Sequence, residues 1–200
     1  MDPGKTMSAR DVWITGIGLL SSFGGGNACH NQMLLNGYEN IRVDASSYAP
    51  YPVHSLPEVD FSAQIPKKSD LRQMELWQRI GVYAAGLALA DSGLSQDPEV
   101  LSKVNLIVAA GSGERDTAVD SRMLESIQNS AESEVLAKEI LPTALRPTLF
   151  LAQLSNLLAG NISIVHNVTA SSRTFMGEEI AGLSSIENAY RRIAGGQGDV

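Results

Sequence analysis

The stretch from Asn156 to Val200 constrains the fold more than any other, because it contains a strand pattern followed closely by a helix pattern. Gly160 is expected to end a helix, and the alternation of apolar residues after it predicts a strand over 161–168. A polar segment over 169–172 then predicts a tight crossing. Apolar residues recur at helical spacing up to Gly195, which predicts a helix over 179–194. The residues of this stripe are Ile180, Leu183, Ile186, Tyr190 and Ile193. A helix that begins just after a strand offers free N–H groups and a positive dipole end to a negatively charged group.

Earlier parts of the chain alternate between the same two patterns. Strands are predicted over 11–17 and 104–110, with a last one over 198–200, and helices over 27–36, 70–92, 119–128 and 147–159. Such alternation predicts a layered α/β fold. Residues 1–10 are polar and are predicted to form a disordered leader, and residues 11–200 are predicted to form one structural unit.

Composition excludes several classes of protein. The formal net charge of −7 argues against nucleic acid as the main partner. No apolar run approaches the roughly 18 residues of a membrane span, and no signal peptide is evident. A single cysteine, Cys29, fits a reducing compartment, and a cytoplasmic location is expected. Cys29 and His30 lack further ligands at suitable spacing, so neither a metal nor a cofactor is predicted.

Several motifs occur in an order that resembles one enzyme family, the β-ketoacyl-acyl carrier protein synthases, which are condensing enzymes of the thiolase fold. The resemblance covers Val12 to Val200. It rests on Thr15-Gly16-Ile17-Gly18, on Ala88 to Leu94, on the Gly111-Ser112-Gly113 turn, and on Asn156, Ala159-Gly160, Ile164, Ser172, Gly182, Arg191 and Asp199-Val200. It implies a thiolase-like α/β/α layered fold of which this chain is the N-terminal half. It also implies a dimer formed along a strand within Ile162 to Phe175, and an acyl carrier protein as partner.

The chain departs from the family at its most important residue. An alignment without gaps places the family's T-A-C motif on Gly177-Glu178-Glu179, so that Glu179 stands where the family has its nucleophilic cysteine. A carboxylate replaces a thiolate poorly, because a mixed anhydride hydrolyses or reverts. Two interpretations stay open: Glu178 and Glu179 cap the helix, or Glu179 marks a degenerate ketosynthase, as glutamine does in the chain-length factors of aromatic polyketide synthases.

Other site residues follow from the same resemblance. Glu114 follows the Gly-Ser-Gly turn, where elongating relatives place an apolar residue at the acyl pocket, and Leu149 and Phe175 are further pocket candidates. The family's catalytic histidines and lysine belong to the second half of its fold. None of the three histidines of this chain, His30, His54 and His166, falls on a matching motif.

The leading hypothesis is a ketosynthase-like, non-condensing subunit of fatty-acid or polyketide synthesis that pairs with a catalytic ketosynthase or an identical subunit. One alternative is an active 3-oxoacyl-acyl carrier protein synthase or malonyl decarboxylase whose second half is supplied elsewhere. Another is a scaffold that binds the carrier protein.

Overall fold

A computed structural model describes residues 10–37, 41–111, 113, 115–129, 133–145, 149–177 and 179–200. The predicted leader lies outside these residues except for Arg10. The helices and strands are β1 (Leu20–Ser21), β2 (Gly24–Gly25), α1 (Asn27–Leu35), a 3₁₀ turn (Phe61–Ala63), α2 (Lys68–Gln73), α3 (Leu76–Asp91), α4 (Pro98–Leu101), β3 (Leu106–Ala110), α5 (Thr117–Gln128), α6 (Ser133–Val135), a π-helical segment (Leu136–Ile140), α7 (Leu141–Ala144), α8 (Leu149–Ala152), α9 (Asn156–His166), β4 (Ser172–Met176) and α10 (Ala181–Ala194).

The centre of the fold is a parallel pair of strands, β3 and β4, with helices on both faces. Leu106 pairs with Ser172, and the register continues to Ala110 and Met176. Val108 and Ala110 join the buried core beside α3 and α9, while α10 packs against the same strands. Because alternate residues of a strand point to opposite faces, the two helix layers contact different sides of the sheet. The predicted α/β/α layering is confirmed.

The strand predicted over 161–168 is wrong, because these residues belong to α9 and to the turn after it. Leu158 and Ile162 are buried four residues apart, and Ile164 is exposed, so the helical period decides which side chains enter the core. Gly160 lies within α9 and does not end it. Asn167 ends it in the left-handed conformation, with φ of 56°. The strand of this region is β4. It begins where the predicted tight crossing over 169–172 ends.

The long helix predicted over 70–92 is two helices. Met74 adopts an extended conformation between α2 and α3, and its side chain is buried. Met74 belongs to one buried cluster with Val82 of α3, two residues of β3 and three of α9; the cluster contains Ile65, Met74, Val82, Val108, Ala110, Leu158, Ala159 and Ile162. The predicted helix over 147–159 is likewise divided between α8 and α9. Helices α1, α5 and α10 lie within two residues of their predicted bounds.

The segment predicted as a strand over 11–17 forms no ladder with the described residues. It lies against α3, and the Ile17 N–H donates to the Asp91 carboxylate at 2.9 Å. Trp13 and Ile14 are 79% and 82% exposed, so this prediction of a buried strand is wrong for the described structure. Residues 198–200 form no strand either, although the Asn105 N–H donates to the Val200 carbonyl at 3.1 Å, on an extension of β3.

Helix α10 packs on the sheet with its less apolar side. The residues on the sheet side include Ala181, which is buried, and Arg192, which is half-buried. The opposite side carries an apolar stripe whose members are all more than half exposed: Ile180, Leu183, Ile186 and Tyr190. An apolar stripe of this width on a helix normally faces another protein element.

His166 makes the stability of the fold depend on pH. Its Nε2 lies 2.9 Å from the Val82 carbonyl oxygen, to which the ring donates. Burial lowers the pKa of His166 below its ordinary 6.5, although the hydrogen bond to Val82 opposes the shift. The unfolded chain therefore binds the proton more tightly than the folded one, and the free energy of unfolding should fall as the pH drops below about 6.5.

Urea denaturation at several pH values between about 7.5 and about 5 measures this effect. The variant His166→Gln should flatten the profile in that window, and the variant His54→Gln, at an exposed site, should leave it unchanged. A profile that keeps its slope in His166→Gln would contradict the assignment.

Candidate functional site

A cavity of about 760 Å³ opens at the carboxyl ends of β3 and β4. Its described lining comes from α3, from the ends of both strands and from the start of α10: Leu76, Trp77, Ile80, Ala109, Ala110, Gly111, Gly113, Met176, Gly177, Ala181 and Gly182. Because these side chains are apolar or absent, the cavity suits an aliphatic or aromatic chain rather than a charged one. Within parallel sheets this edge is the usual position for a ligand.

The turn from β4 into α10 brings a helix N-terminus to this cavity. Gly177 has φ of 142°, a conformation that favours glycine, and it turns the chain sharply after β4. Ile180 is the N-cap residue of α10, and it provides no side-chain capping bond. Within the described part of the chain, the first N–H groups of α10 thus receive no bond from the N-cap side chain, and their dipole end points toward negative charge.

Glu179 lies between Gly177 and the first residue of α10, as predicted from the sequence. It lines a second recess of about 490 Å³ with Phe175, Met176, Gly177, Ile180, Ala181 and Ser184, and this recess shares Met176, Gly177 and Ala181 with the larger cavity. Glu179 is exposed, and among the described residues its carboxylate makes no hydrogen bond. A capping bond from Glu179 is thus not seen among the described residues, and Glu178 lies outside them, so the capping interpretation stays a prediction.

The structure brings only some of the predicted site residues together. Phe175 and Glu179 share the smaller recess. Leu149 begins α8 and is not among the described residues that line either cavity. Glu114 lies outside the described residues, although its neighbour Gly113 lines the larger cavity. Glu179 is the one charged side chain in the described lining of the two cavities.

Sequence reasoning missed the contribution of α3 to the cavity. Trp77 and Ile80 are on a helical stripe that predicts core packing, and the structure places them on the cavity wall. Leu76, also in the wall, is nearly half exposed. Within a helix predicted over 70–92, apolar residues do not by themselves distinguish a cavity wall from core packing.

The described residues contain no group of three or more His, Cys, Asp or Glu side chains that could hold a metal ion. Helices long and apolar enough to cross a bilayer are also absent from the part of the chain that the structure describes.

The fold and the position of the cavity agree with the resemblance found in the sequence, and the chain belongs to the β-ketoacyl synthase family. The sequence model of the β-ketoacyl synthase N-terminal domain matches residues 9–200. The chain is 28% identical over 197 residues to 3-oxoacyl-[acyl-carrier-protein] synthase 2 of Vibrio harveyi, and 27% identical to the protein of that name from Vibrio cholerae. Each alignment covers 96% of this chain and 44% of the relative, so the chain spans less than half the length of these curated relatives.

Solved structures share the fold. The ishigamide ketosynthase/chain length factor aligns with a TM-score of 0.70 at 20% identity, over 96% of this chain and 46% of that one. A complex of a type II polyketide synthase acyl-carrier protein with its ketosynthase bound to the hexaketide aligns with a TM-score of 0.67 at 21% identity, over 95% and 49%. These similarities confirm the thiolase-like fold.

Proposed function

We propose that this chain is a ketosynthase-fold subunit of fatty-acid or polyketide synthesis that does not itself condense acyl groups. The observation that carries this proposal is Glu179, a carboxylate at the end of β4 beside the N-terminus of α10, where the family resemblance expects the cysteine nucleophile. The subunit then resembles a chain-length factor, which contributes structure to the pocket of a catalytic ketosynthase.

The chemistry of a carboxylate supports a non-condensing role. A thiolate accepts an acyl group as a thioester and passes it to a carbanion, whereas a carboxylate forms an anhydride that water cleaves or the departing thiolate reverses. The free N–H groups of α10 favour the charged carboxylate over a neutral, acylated one. Both effects oppose stable acylation of Glu179.

Residues 11–200 form, in this proposal, the N-terminal half of a larger ketosynthase-like unit. Two observations support it: the curated relatives are more than twice as long as the aligned part, and the apolar stripe of α10 faces away from its own sheet. A second half that covers Leu183 and Ile186 would remove this stripe from water. The residues that drive decarboxylation in the family would then lie in that half or in a partner.

The free edge of β4 is the proposed site of pairing with a catalytic ketosynthase or an identical subunit. Among the described strands, β4 pairs with β3 alone. The Leu106 N–H donates to the Ser171 carbonyl, and backbone groups alternate between the two edges of a strand. The Thr174 N–H therefore faces the free edge, where a second chain can add a strand.

Replacement of Thr174 tests this edge. Proline removes the outward N–H without removing a bond to β3, so Thr174→Pro should convert an associated chain to a monomer at micromolar concentration. Thr174→Val keeps the N–H and should stay associated. Light scattering of the two variants and the unaltered chain measures the masses. The pairing would be contradicted if the unaltered chain were monomeric at this concentration. It would also be contradicted if the proline variant kept the larger mass.

An acyl carrier protein is the proposed partner, since the named relatives are 3-oxoacyl-[acyl-carrier-protein] synthases. Incubation of the purified chain with a labelled acyl carrier protein, followed by mass spectrometry of the peptide that contains Glu179, tests the proposal. No acyl group should be found on Glu179.

A further inference from the structure

A serine and a histidine form a hydrogen-bonded pair on the β1–β2 hairpin and α1, outside the candidate site. The Ser21 Oγ lies 2.8 Å from His30 Nε2, and His30 Nδ1 lies 2.7 Å from the Gly26 carbonyl oxygen. A carbonyl oxygen can only accept, so Nδ1 carries the proton of the neutral ring. His30 Nε2 then holds a lone pair, which accepts the hydroxyl hydrogen of Ser21.

This is the arrangement by which an imidazole activates a serine. The base lies within hydrogen-bond reach of the hydroxyl, and a third group fixes its tautomer and orientation. Here the third group is a backbone carbonyl, held by the turn that starts α1 at Asn27. The Phe23 ring packs edge-on against His30, with centroids 5.8 Å apart, and restricts rotation of the imidazole.

The oxygen of Ser21 is also positioned by the backbone. The Phe23 N–H donates to it at 3.1 Å, which leaves the hydroxyl hydrogen directed to His30. Ser21 and His30 are both half-buried.

We propose that Ser21 is an acylation site that takes an acyl group from an activated ester or thioester, with His30 as the general base. The Ser21 Oγ attacks the carbonyl carbon while its proton passes to His30 Nε2. The bond from that carbon to the leaving oxygen or sulfur breaks, and the leaving group takes the proton from Nε2. The product is an ester on Ser21, with no change of oxidation state.

A fluorophosphonate probe tests the nucleophile directly, because Oγ–P bond formation expels fluoride and leaves a stable adduct. The full 200-residue chain is treated with the probe and the modified peptides are identified by mass spectrometry. Modification of Ser21 should be about 100-fold faster than modification of Ser22, since a general base contributes about 10²-fold or more. Ser22 is a matched control, because it is adjacent and half-buried like Ser21 but is not bonded to an imidazole.

Variants and unfolding complete the test. Ser21→Ala should abolish the fast adduct, Ser22→Ala should retain it, and His30→Gln should slow it about 100-fold. Unfolding of the unaltered chain in urea should remove the preference for Ser21, a result that does not depend on whether His30→Gln folds. Equal rates at Ser21 and Ser22 in the folded chain, or no adduct at Ser21, would overturn the proposal.

Discussion

Gly18→Ala should lower the free energy of unfolding by roughly 3 kcal/mol, at the upper end of the range for overpacking. A Cβ at Gly18 would lie 2.0 Å from the Ala84 carbonyl oxygen and 2.6 Å from the Ala88 N, both in the backbone of α3. A helix backbone cannot move aside as a flexible side chain can. The segment that contains Gly18 must therefore separate from α3, which contributes Val82 to the core.

Gly160→Ala is the matched control for this substitution. Gly160 lies within α9, and among the described residues beyond its chain neighbours and the adjacent turns of its own helix backbone, no atom lies within 4 Å of a Cβ added there. Because alanine favours helix over glycine, this variant should be more stable than the unaltered chain by about 0.5–1 kcal/mol. Urea midpoints of the two variants give the comparison. Equal destabilisation by both would show that the contact of Gly18 with α3 does not hold the segment in place.

The sequence correctly predicts those helices and strands whose own residues show one clear hydrophobic period. The continuous apolar run of β3 and the stripe of α10 have one clear period each, and both elements lie within two residues of their predicted bounds. Helix α9 was mistaken for a strand because Ile162 and Ile164 fit period two, whereas Leu158 and Ile162 fit the helical period. The contacts of α9 with α3, β3 and β4 bury Ile162 and leave Ile164 exposed.

The candidate site likewise has one part that the local sequence predicts and one part that it does not. The order of a turn and a helix around Glu179 is local, and the sequence predicted it. The cavity is not local, because its wall joins Trp77 of α3 to Met176 at the end of β4. No single stretch contains that juxtaposition. The proposed Ser21–His30 pair was missed because a serine and a histidine nine residues apart carry no pattern until the hairpin folds back on α1.

Glu179→Cys should convert an unreactive position into one that accepts an acyl group. A thiolate beside the free N–H groups of α10 is stabilised as a charge and exchanges readily with a thioester. The fraction of chains that carry an acyl group at position 179 should therefore rise from undetectable to most of the protein. Condensation and decarboxylation should not follow, because the family's histidines that stabilise the oxyanion have no counterpart among the matched motifs of this chain. Glu179→Gln, which provides no thiol, should remain without an adduct.

The background for this comparison must exclude the other nucleophiles of the chain. Ser21→Ala removes the proposed acylation site, and Cys29→Ser removes the single native thiol. With both substitutions present, an acyl group on the protein reports on position 179 alone. A circular-dichroism melt of each variant confirms that the fold is retained.

The most direct measurement is the mass of the peptide that contains position 179 after incubation with a labelled acyl carrier protein, in the chain with Glu179 and in the chain with Glu179→Cys. The account predicts no acyl adduct on Glu179 and an adduct on the cysteine. A covalent acyl group on Glu179 in the unaltered chain would contradict the non-condensing role.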